Sequence, residues 1–359
     1  MKLNFPSLRA FSGRLRALRR AASRAILYII GSSFLLLAPL SCVDEDEFDN
    51  SPRGNFEALW RTLDEHYCFF PEKERLYAVD WQAVHEQYGA YIQDEMTREQ
   101  LFDVCARMIR ELRDGHVNLT SSFNTARYWD WQEQAPLNFS DSLLRLYLGT
   151  DYRLSCGMRY KILPDNVGYV YVPSFDVSIG SGNLSAMFTH LSLCRGLIVD
   201  VRNNGGGLLT SAQALAESFI NEKQTGGYMS HKTGKGHTDF SSPIAIELKP
   251  STGMRWQKPV VVITNSAVYS AANSFVCYMK QLPRVTVIGQ KTGGGGGMPF
   301  TMALPNGWKL RFSASPMYDK AMQSIEDGIL PDHVMNLQSS DFHEGKDTMI
   351  EQARRLLTE

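Results

Sequence analysis

Three short apolar runs, separated by amphipathic segments, constrain the fold of this chain more than any other feature. They are GLIVDVR at 196–202, PVVVITN at 259–265 and RVTVIG at 284–289. Strands that are apolar along their whole length are typical of parallel sheets, because both faces of such a sheet are buried. The segments between them, LLTSAQALAESFI and AANSFVCYMKQL, predict helices. The strand–helix–strand–helix–strand order therefore predicts an α/β fold built on a parallel sheet with right-handed crossovers.

Residue composition and the spacing of apolar residues divide the remaining chain into further regions. Helical spacing of apolar residues over 55–113 predicts a mostly helical N-terminal subdomain, assigned to 55–142. Strands are predicted at LLRLYLG, MRYKIL and NVGYVYVPSF, within an α/β core at 143–335. The polar, glycine-containing stretch 222–255 is interpreted as an excursion near the site, and 336–359 as a C-terminal tail helix.

The N-terminus has the character of an export signal. A basic stretch without acidic residues precedes the apolar run AILYIIGSSFLLLAPLS and then Cys42. APLSC resembles a lipobox, although Pro39 stands where most lipoboxes carry leucine. On this resemblance we expect a lipoprotein signal peptide at 1–41, lipidation of Cys42 and an acidic tether at 42–54. The expected location is the cell envelope, lipid-anchored on the outer membrane and facing the periplasm or the cell surface. An uncleaved signal anchor followed by a solvated linker is the alternative.

Composition excludes several classes of function. With 43% hydrophobic residues, 21% charged residues and a formal net charge of −1, the chain is an ordinary globular protein without the basic character of a nucleic-acid-binding protein. The five cysteines after Cys42 have no CxxC spacing and lie in apolar surroundings, which favours buried free thiols. The histidines show no metal-binding spacing, so neither a metal nor a cofactor is predicted.

Three stretches carry residues that could do chemistry, and each has a structural alternative. DVRNNGGG at 200–207 places three glycines between a strand and a helix, which suits an oxyanion or a tight turn. Ser270 directly precedes a predicted helix, as a nucleophile or as its N-cap. His116 follows a helix in RDGHVNL, as a base or as a residue that closes the helix C-terminus.

Together these stretches resemble the tail-specific (C-terminal processing) and tricorn-like serine peptidases over residues 55–335. GYVYVPSF, GLIVDVRNNGGG, TNSAVYSAANSF and IEDGILPDHVM resemble the family's core motifs in the same order. The resemblance implies a Clp-protease/crotonase-like core and assigns the nucleophile to Ser270 rather than Ser266 or Ser274. Too few residues separate His116 from the core for the PDZ domain of tail-specific proteases, which argues against processive cleavage from a chain end.

The resemblance also implies the remaining roles. The lysine base of the tail-specific branch falls on Gly295, whereas RDGH matches the tricorn-like branch, which implies His116 as the base. Glu326 matches the acid that orients this histidine. The Ala271 amide and that of Gly206 are the implied oxyanion donors. Substrate-groove positions are expected at Gly205, Gly207, Gly293 and Gly294.

The function expected from these residues is a membrane-anchored serine peptidase that acts on peptides or unfolded protein, without a cofactor. Two alternatives remain. One is a catalytically inactive, peptide-binding lipoprotein of the same fold. The other is a crotonase-like hydrolase acting on a non-peptide acyl compound, because a fold does not determine its chemistry. The sequence predicts no oligomeric state.

Overall fold

The computed structural model describes residues 48–359. The signal predicted at 1–41, Cys42 and the first part of the tether predicted at 42–54, up to residue 47, lie outside the described residues. Within 48–359, no helix is both long enough and apolar enough to cross a membrane.

The described part of the chain forms eleven helices and thirteen strands. The helices are α1 Pro52–His66, α2 Phe70–Tyr77, α3 Trp81–Gly89, α4 Arg98–Arg110, α5 Asp130–Glu133, α6 Asp141–Leu148, α7 Ser181–Leu191, α8 Leu209–Glu217, α9 Ala271–Lys280, α10 Ser339–His343 and α11 Thr348–Thr358. The strands are β1 Asn118–Thr120, β2 Thr125–Ala126, β3 Arg153–Ser155, β4 Met158–Ile162, β5 Gly168–Tyr171, β6 Leu197–Asp200, β7 Gln224–Met229, β8 Ile244–Leu248, β9 Val260–Thr264, β10 Val285–Gly289, β11 Gly297–Ala303, β12 Lys309–Tyr318 and β13 His333–Val334.

A seven-stranded sheet forms the centre of the α/β core, in the order β13-β10-β9-β6-β5-β4-β3. The first five strands in this order are parallel, and β4 and β3 are antiparallel. Every residue of β5, β6 and β9 is buried. The three apolar runs are β6, β9 and β10, so the predicted α/β fold is confirmed.

The helical N-terminal region shares its core with a second sheet. Helix α4 begins with the capping box that Thr97 and Gln100 form, which satisfies two backbone amides at its first turn. Phe56 of α1 and Phe102 of α4 pack with Trp308, which lies just before β12. The second sheet has the order β2-β1-β12-β7-β8, with β11 also paired to β12. Strand β1 carries the segment after His116 onto β12, which ties the helical region to the core.

Three predicted segments differ in the structure. The predicted strand LLRLYLG is part of α6, because Ser140 caps a helix there and Leu144 and Leu148 are buried four residues apart. The predicted boundary at 142/143 therefore falls inside a helix. The excursion 222–255 contains β7 and β8, which extend the second sheet. The tail helix α11 belongs to the core, since Met349 is fully buried in the cluster that covers one face of the central sheet.

A buried ion-pair network fixes the turn that follows β6. Arg202 donates to Asp200 from Nε at 2.9 Å and from Nη2 at 2.6 Å, and its Nη1 donates to Asp347 at 2.9 Å. Asp347 is also the N-cap of α11, accepting the amides of Met349 and Ile350. The side chains of Asp200 and Arg202 therefore hold the turn in place, and the glycines that follow reach the site.

Candidate active site

Ser270 lies at the sharp turn between β9 and α9. Its backbone has φ 55° and ψ −124°, outside the helical and extended regions, a conformation that costs about 1–3 kcal/mol in a residue with a side chain. It occupies the N-cap position, but its side chain makes no capping hydrogen bond. Its Oγ instead lies 3.1 Å from Nε2 of His116. Capping of α9 therefore does not explain this serine.

His116 is held in a tight turn after α4. Its backbone amide donates to Asp114 Oδ1 at 2.7 Å. The preceding residue must be small, because a Cβ at Gly115 would lie 2.5 Å from the Trp131 ring and 3.0 Å from the Tyr269 hydroxyl. The His116 ring is almost fully buried and packs edge-on against the Tyr269 ring, 4.9 Å between centroids. The turn thus brings together two side chains that are 154 positions apart in the chain.

The hydrogen bonds around His116 determine its tautomer. Ser313 Oγ lies 3.0 Å from Asp114 Oδ2 and 3.4 Å from His116 Nδ1. An ionised carboxylate only accepts, so the single hydroxyl proton of Ser313 goes to Asp114 and the hydroxyl oxygen accepts from Nδ1–H. Nε2 is then unprotonated and accepts the proton of Ser270. This is the arrangement that general-base catalysis by a histidine requires.

The same surroundings set the charges of the two groups. Burial lowers the pKa of His116 to about 4, and the negative charge of Asp114 opposes this only in part. Burial alone raises the pKa of Asp114, but the positive charge of Lys73 and the hydrogen bonds from His116 and Tyr67 outweigh it and bring the pKa below its ordinary value. At neutral pH the site therefore holds a neutral imidazole backed by a carboxylate.

Glu326 does not reach His116, in contrast to the role that the resemblance implied. Its Oε1 lies 3.2 Å from Lys73 Nζ, and its Oε2 accepts the Gly296 amide at 2.9 Å. Burial and the nearby negative charge of Asp114 both raise the pKa of Glu326, and the positive charge of Lys73 opposes them. The acid that connects to the imidazole is Asp114, through Ser313. Glu326 instead fixes the backbone of the glycine run, residues 293–297.

The glycine run is shaped by close contacts. A Cβ at Gly294 would overlap the carbonyl oxygen of Glu326, and Gly294 itself accepts the Ser270 amide at 2.9 Å. A Cβ at Gly295 would overlap the ring of Tyr269. The position of the lysine base in the tail-specific branch is therefore closed by Tyr269. Lys291 lies apart from the site, in an exposed ion pair with Asp327.

The predicted oxyanion donors differ in what their amides do. Within residues 48–359, the amides of Ala271, Gly205 and Gly207 have no hydrogen-bond acceptor. The Gly206 amide, by contrast, donates to Asn204 Oδ1 at 2.9 Å and is not available in this conformation. Gly206 is required for another reason, since a Cβ there would lie 2.8 Å from the Ser270 Cβ and 3.0 Å from the Ala271 nitrogen.

An open cavity of about 500 Å³ surrounds Ser270 and His116. Of the predicted groove residues, Gly205 and Gly207 line it. Gly293 and Gly294 do not: Gly294 is enclosed beneath Ser270, and Gly293 lines a separate cavity of about 90 Å³ beside Lys73. Further lining residues are Trp129, Asp176, Met298, Arg311 and Met317.

Sequence reasoning missed three buried residues behind the site: Asp114, Ser313 and Lys73. Asp114 belongs to the RDGH motif, so its proximity to His116 could have been inferred. Ser313 and Lys73 carry no local signal, because each meets its partner only through the tertiary fold. In the described part of the chain, no group of three or more metal-ligating side chains could hold a metal ion.

Comparisons with known proteins agree with this geometry. The family model of peptidase family S41 matches residues 166–335, and the model of the tricorn protease C1 domain matches residues 48–110. A solved structure of a candidate peptidase from Parabacteroides merdae is 47% identical and has a TM-score of 0.82, with 87% of this chain and 98% of that chain covered.

Two curated proteins extend the comparison at lower identity. The carboxy-terminal-processing protease of Bartonella bacilliformis is 27% identical over 157 residues, 44% of this chain and 34% of that protein. The tricorn protease of Thermoplasma acidophilum is 26% identical over 196 residues, 54% of this chain and 17% of that protein. The chain thus spans about a third or less of the length of these two curated relatives.

Proposed function

Since this chain belongs to peptidase family S41 and is a serine peptidase, we propose that it cleaves peptides or unfolded protein through an acyl-enzyme on Ser270, with His116 as the general base. The observation that carries this proposal is the 3.1 Å approach of Ser270 Oγ to His116 Nε2 at the wall of an open cavity. A serine hydroxyl is a weak nucleophile until such a base takes its proton.

The proposed reaction proceeds in two halves. His116 Nε2 takes the proton as Ser270 Oγ attacks the scissile carbonyl carbon, and the Ala271 amide donates to the oxyanion. The imidazolium then gives this proton to the leaving nitrogen, and the C–N bond breaks to leave an ester on Ser270. A water molecule repeats the sequence on the ester, with His116 again as base and then acid. The products are an acid and an amine, and the enzyme is regenerated.

The buried groups behind the histidine support the charge that forms in this cycle. Nδ1–H of His116 donates to Ser313, and the proton of Ser313 is held by Asp114, so the negative charge of Asp114 stabilises the imidazolium through one intervening hydroxyl. Lys73 lies close enough to Asp114 to favour its ionised form. We therefore assign Asp114 and Ser313 as positioning residues, and we assign Glu326 to the support of the glycine run.

The second oxyanion donor comes from the glycine loop, residues 205–207, in this proposal. The amides of Gly205 and Gly207 have no acceptor within residues 48–359, and both residues line the cavity. The Gly206 amide would become available only if it left Asn204. Loss of one oxyanion donor typically costs about 3–4 kcal/mol in the transition state of a serine enzyme.

The test is covalent labelling of the mature protein with a fluorophosphonate probe, together with peptide cleavage. We expect the label on Ser270, with no labelling of Ser270→Ala and strongly reduced labelling of His116→Ala. Ser266→Ala is the matched control, since Ser266 lies on the same turn, and it is expected to label normally. A folded protein that stays unlabelled would refute the proposal. A labelled protein that hydrolyses acyl thioesters but no peptide would favour the crotonase-like alternative.

We further propose that the peptidase is lipid-anchored in the cell envelope through Cys42, on the outer membrane. The support is the basic stretch, the apolar run and the lipobox-like APLSC in the sequence. Incorporation of labelled palmitate into the native chain, absent from Cys42→Ser, is the expected result. Equal incorporation in both would refute lipidation at this cysteine.

A further inference from the structure

One cationic side chain in the catalytic cavity has no polar partner in the described part of the chain. Arg311 lies on β12, is half-buried and lines the cavity beside His116. Within residues 48–359, its guanidinium has neither an ion pair nor a hydrogen bond. By contrast, the buried Arg202 is paired with Asp200 and Asp347, and the half-buried Arg354 with Asp165 and Glu351. A guanidinium has five N–H donors, and a carboxylate can accept two of them in parallel hydrogen bonds.

The strand places Arg311 on the same side of the site as the histidine. Arg311 is two residues from Ser313, so both side chains project from the same face of β12, and Ser313 contacts His116. Its register partner is Asn118, two residues after His116. Burial has the largest effect on the pKa of His116, and the positive charge of Arg311 lowers this pKa further. The guanidinium is therefore close to the imidazole.

Proximity to the histidine identifies the part of the substrate that Arg311 faces. In the proposed reaction His116 donates its proton to the leaving nitrogen, so the leaving fragment lies on the histidine side of Ser270. Asp176, the one carboxylate among the lining residues, lies elsewhere in the cavity, next to Phe175, which is paired with Gly207 of the glycine loop. The cavity therefore has an uncompensated positive charge on the leaving-group side.

We propose that Arg311 is a specificity-determining residue that binds a carboxylate of the leaving fragment, an inference that rests on the proposed peptidase function. Two substrate groups carry this chemistry. One is the terminal carboxylate of a short leaving fragment, which would make the enzyme release short pieces from a chain end. The other is the side chain of an aspartate or glutamate just after the scissile bond.

The experiment compares three matched peptides with the same acyl side. The first releases a dipeptide with a free terminal carboxylate, the second releases the same dipeptide amidated, and the third is amidated but has glutamate in the dipeptide. We measure kcat/KM by quantifying the released fragment, for the native enzyme, Arg311→Met and Arg311→Lys. The control is Lys309→Met, which removes an exposed charge from the same strand outside the cavity.

We expect the native enzyme to prefer a carboxylate-bearing peptide over the second peptide by about tenfold or more, the usual effect of a hydrogen bond to a charged group. Arg311→Met is expected to abolish this preference, so that it cleaves the three peptides with similar kcat/KM, and Lys309→Met is expected to keep the preference. Arg311→Lys should retain part of it, because lysine keeps the charge but lacks the fork of donors. A preference for the first peptide identifies the terminal carboxylate, and one for the third identifies the acidic side chain.

Two results would overturn the inference while leaving the proposed function intact. They are equal cleavage of all three peptides by the native enzyme, and an equal loss on all three in Arg311→Met. In both cases Ser270 would still react with the fluorophosphonate probe. If the native enzyme were neither labelled nor active on any peptide, the proposed function and this inference would fail together.

Discussion

Ser313→Ala is the substitution that most directly tests the hydrogen-bond chain behind the catalytic histidine. Ser313 Oγ accepts a hydrogen bond from His116 Nδ1–H and donates its own proton to Asp114. Without it, Nδ1–H faces a buried methyl group and remains unsatisfied. The energetic penalty for such a buried donor is about 1–3 kcal/mol. The positively charged imidazolium depends on the Ser313 acceptor more strongly than the neutral imidazole does, so its loss raises the energy of the transition state. A penalty of this size predicts a loss of about 5- to 150-fold in rate.

The assay is the second-order rate constant for fluorophosphonate labelling, with kcat/KM for a peptide measured alongside. Ser315→Ala is the matched control, because Ser315 lies on the same strand and also contacts a histidine, with its Oγ 3.1 Å from His231 Nδ1, but outside the cavity. We expect Ser315→Ala to react like the native enzyme. Both variants are compared by thermal melting, so that a loss of folding is not mistaken for a loss of chemistry.

Glu326→Gln separates this interpretation from the role that the resemblance implied. Two results together would refute the hydrogen-bond chain through Asp114. They are native-like labelling of Ser313→Ala, and a loss of several hundredfold or more in the labelling rate of Glu326→Gln at unchanged melting temperature. If the hydrogen-bond chain is as described, Glu326→Gln mainly lowers the stability of the fold, because it leaves the buried ammonium of Lys73 without its carboxylate partner.

The same site and the residues that support it give four further predictions. Gly206→Ala, whose φ of 107° and contact with Ser270 leave no room for a Cβ, is expected to reduce labelling by about 100-fold or more in a protein that still melts cooperatively; native-like labelling would contradict the close packing. Because only neutral His116 accepts a proton, the labelling rate is expected to fall as pH decreases through about 4 and to be constant between pH 6 and 7, and a midpoint near 7 would contradict the lowered pKa. The same lowered pKa means that the unfolded chain binds a proton that the folded chain does not between about pH 6.5 and 4, so the stability contributed by His116 is complete above this range and is lost as pH falls through it. Asp347→Ala removes the N-cap of α11 and one of the two carboxylates that pair with the buried Arg202, and is expected to lower the free energy of unfolding by about 2–4 kcal/mol in urea titrations, whereas a change below about 1 kcal/mol would mean that Asp347 contributes little.

The central sheet could be predicted from the sequence because its strands are encoded locally. The run PVVVITN has four consecutive β-branched apolar residues between a proline and an asparagine, a combination that favours a strand buried on both faces. The turn that carries Ser270 could be placed for the same reason, between a clear strand and a clear helix. The segment LLRLYLG was assigned wrongly because short apolar runs do not distinguish strand from helix, and the cap from Ser140 was overlooked.

The network behind His116 could not be predicted from the sequence, because it is assembled from distant positions. Ser313 is 197 residues from His116, and Lys73 is 253 residues from Glu326. No local pattern distinguishes a serine that meets a histidine from the other serines of a polar strand. The misassigned role of Glu326 has the same origin, since two buried acids lie near the site and only the geometry shows which of them connects to the imidazole.

The anchoring of Arg202 also has a consequence for the order in which the enzyme matures. Its second carboxylate partner, Asp347, is synthesised 145 residues later, after both Ser270 and His116. Until that residue arrives, the guanidinium under the glycine loop is paired with Asp200 alone and has no contact with the N-terminus of α11. A nascent chain therefore contains both Ser270 and His116 before it contains the residue that completes the support of the glycine loop. The glycine loop is therefore expected to reach its final position only once the segment that carries Asp347 has folded onto the core.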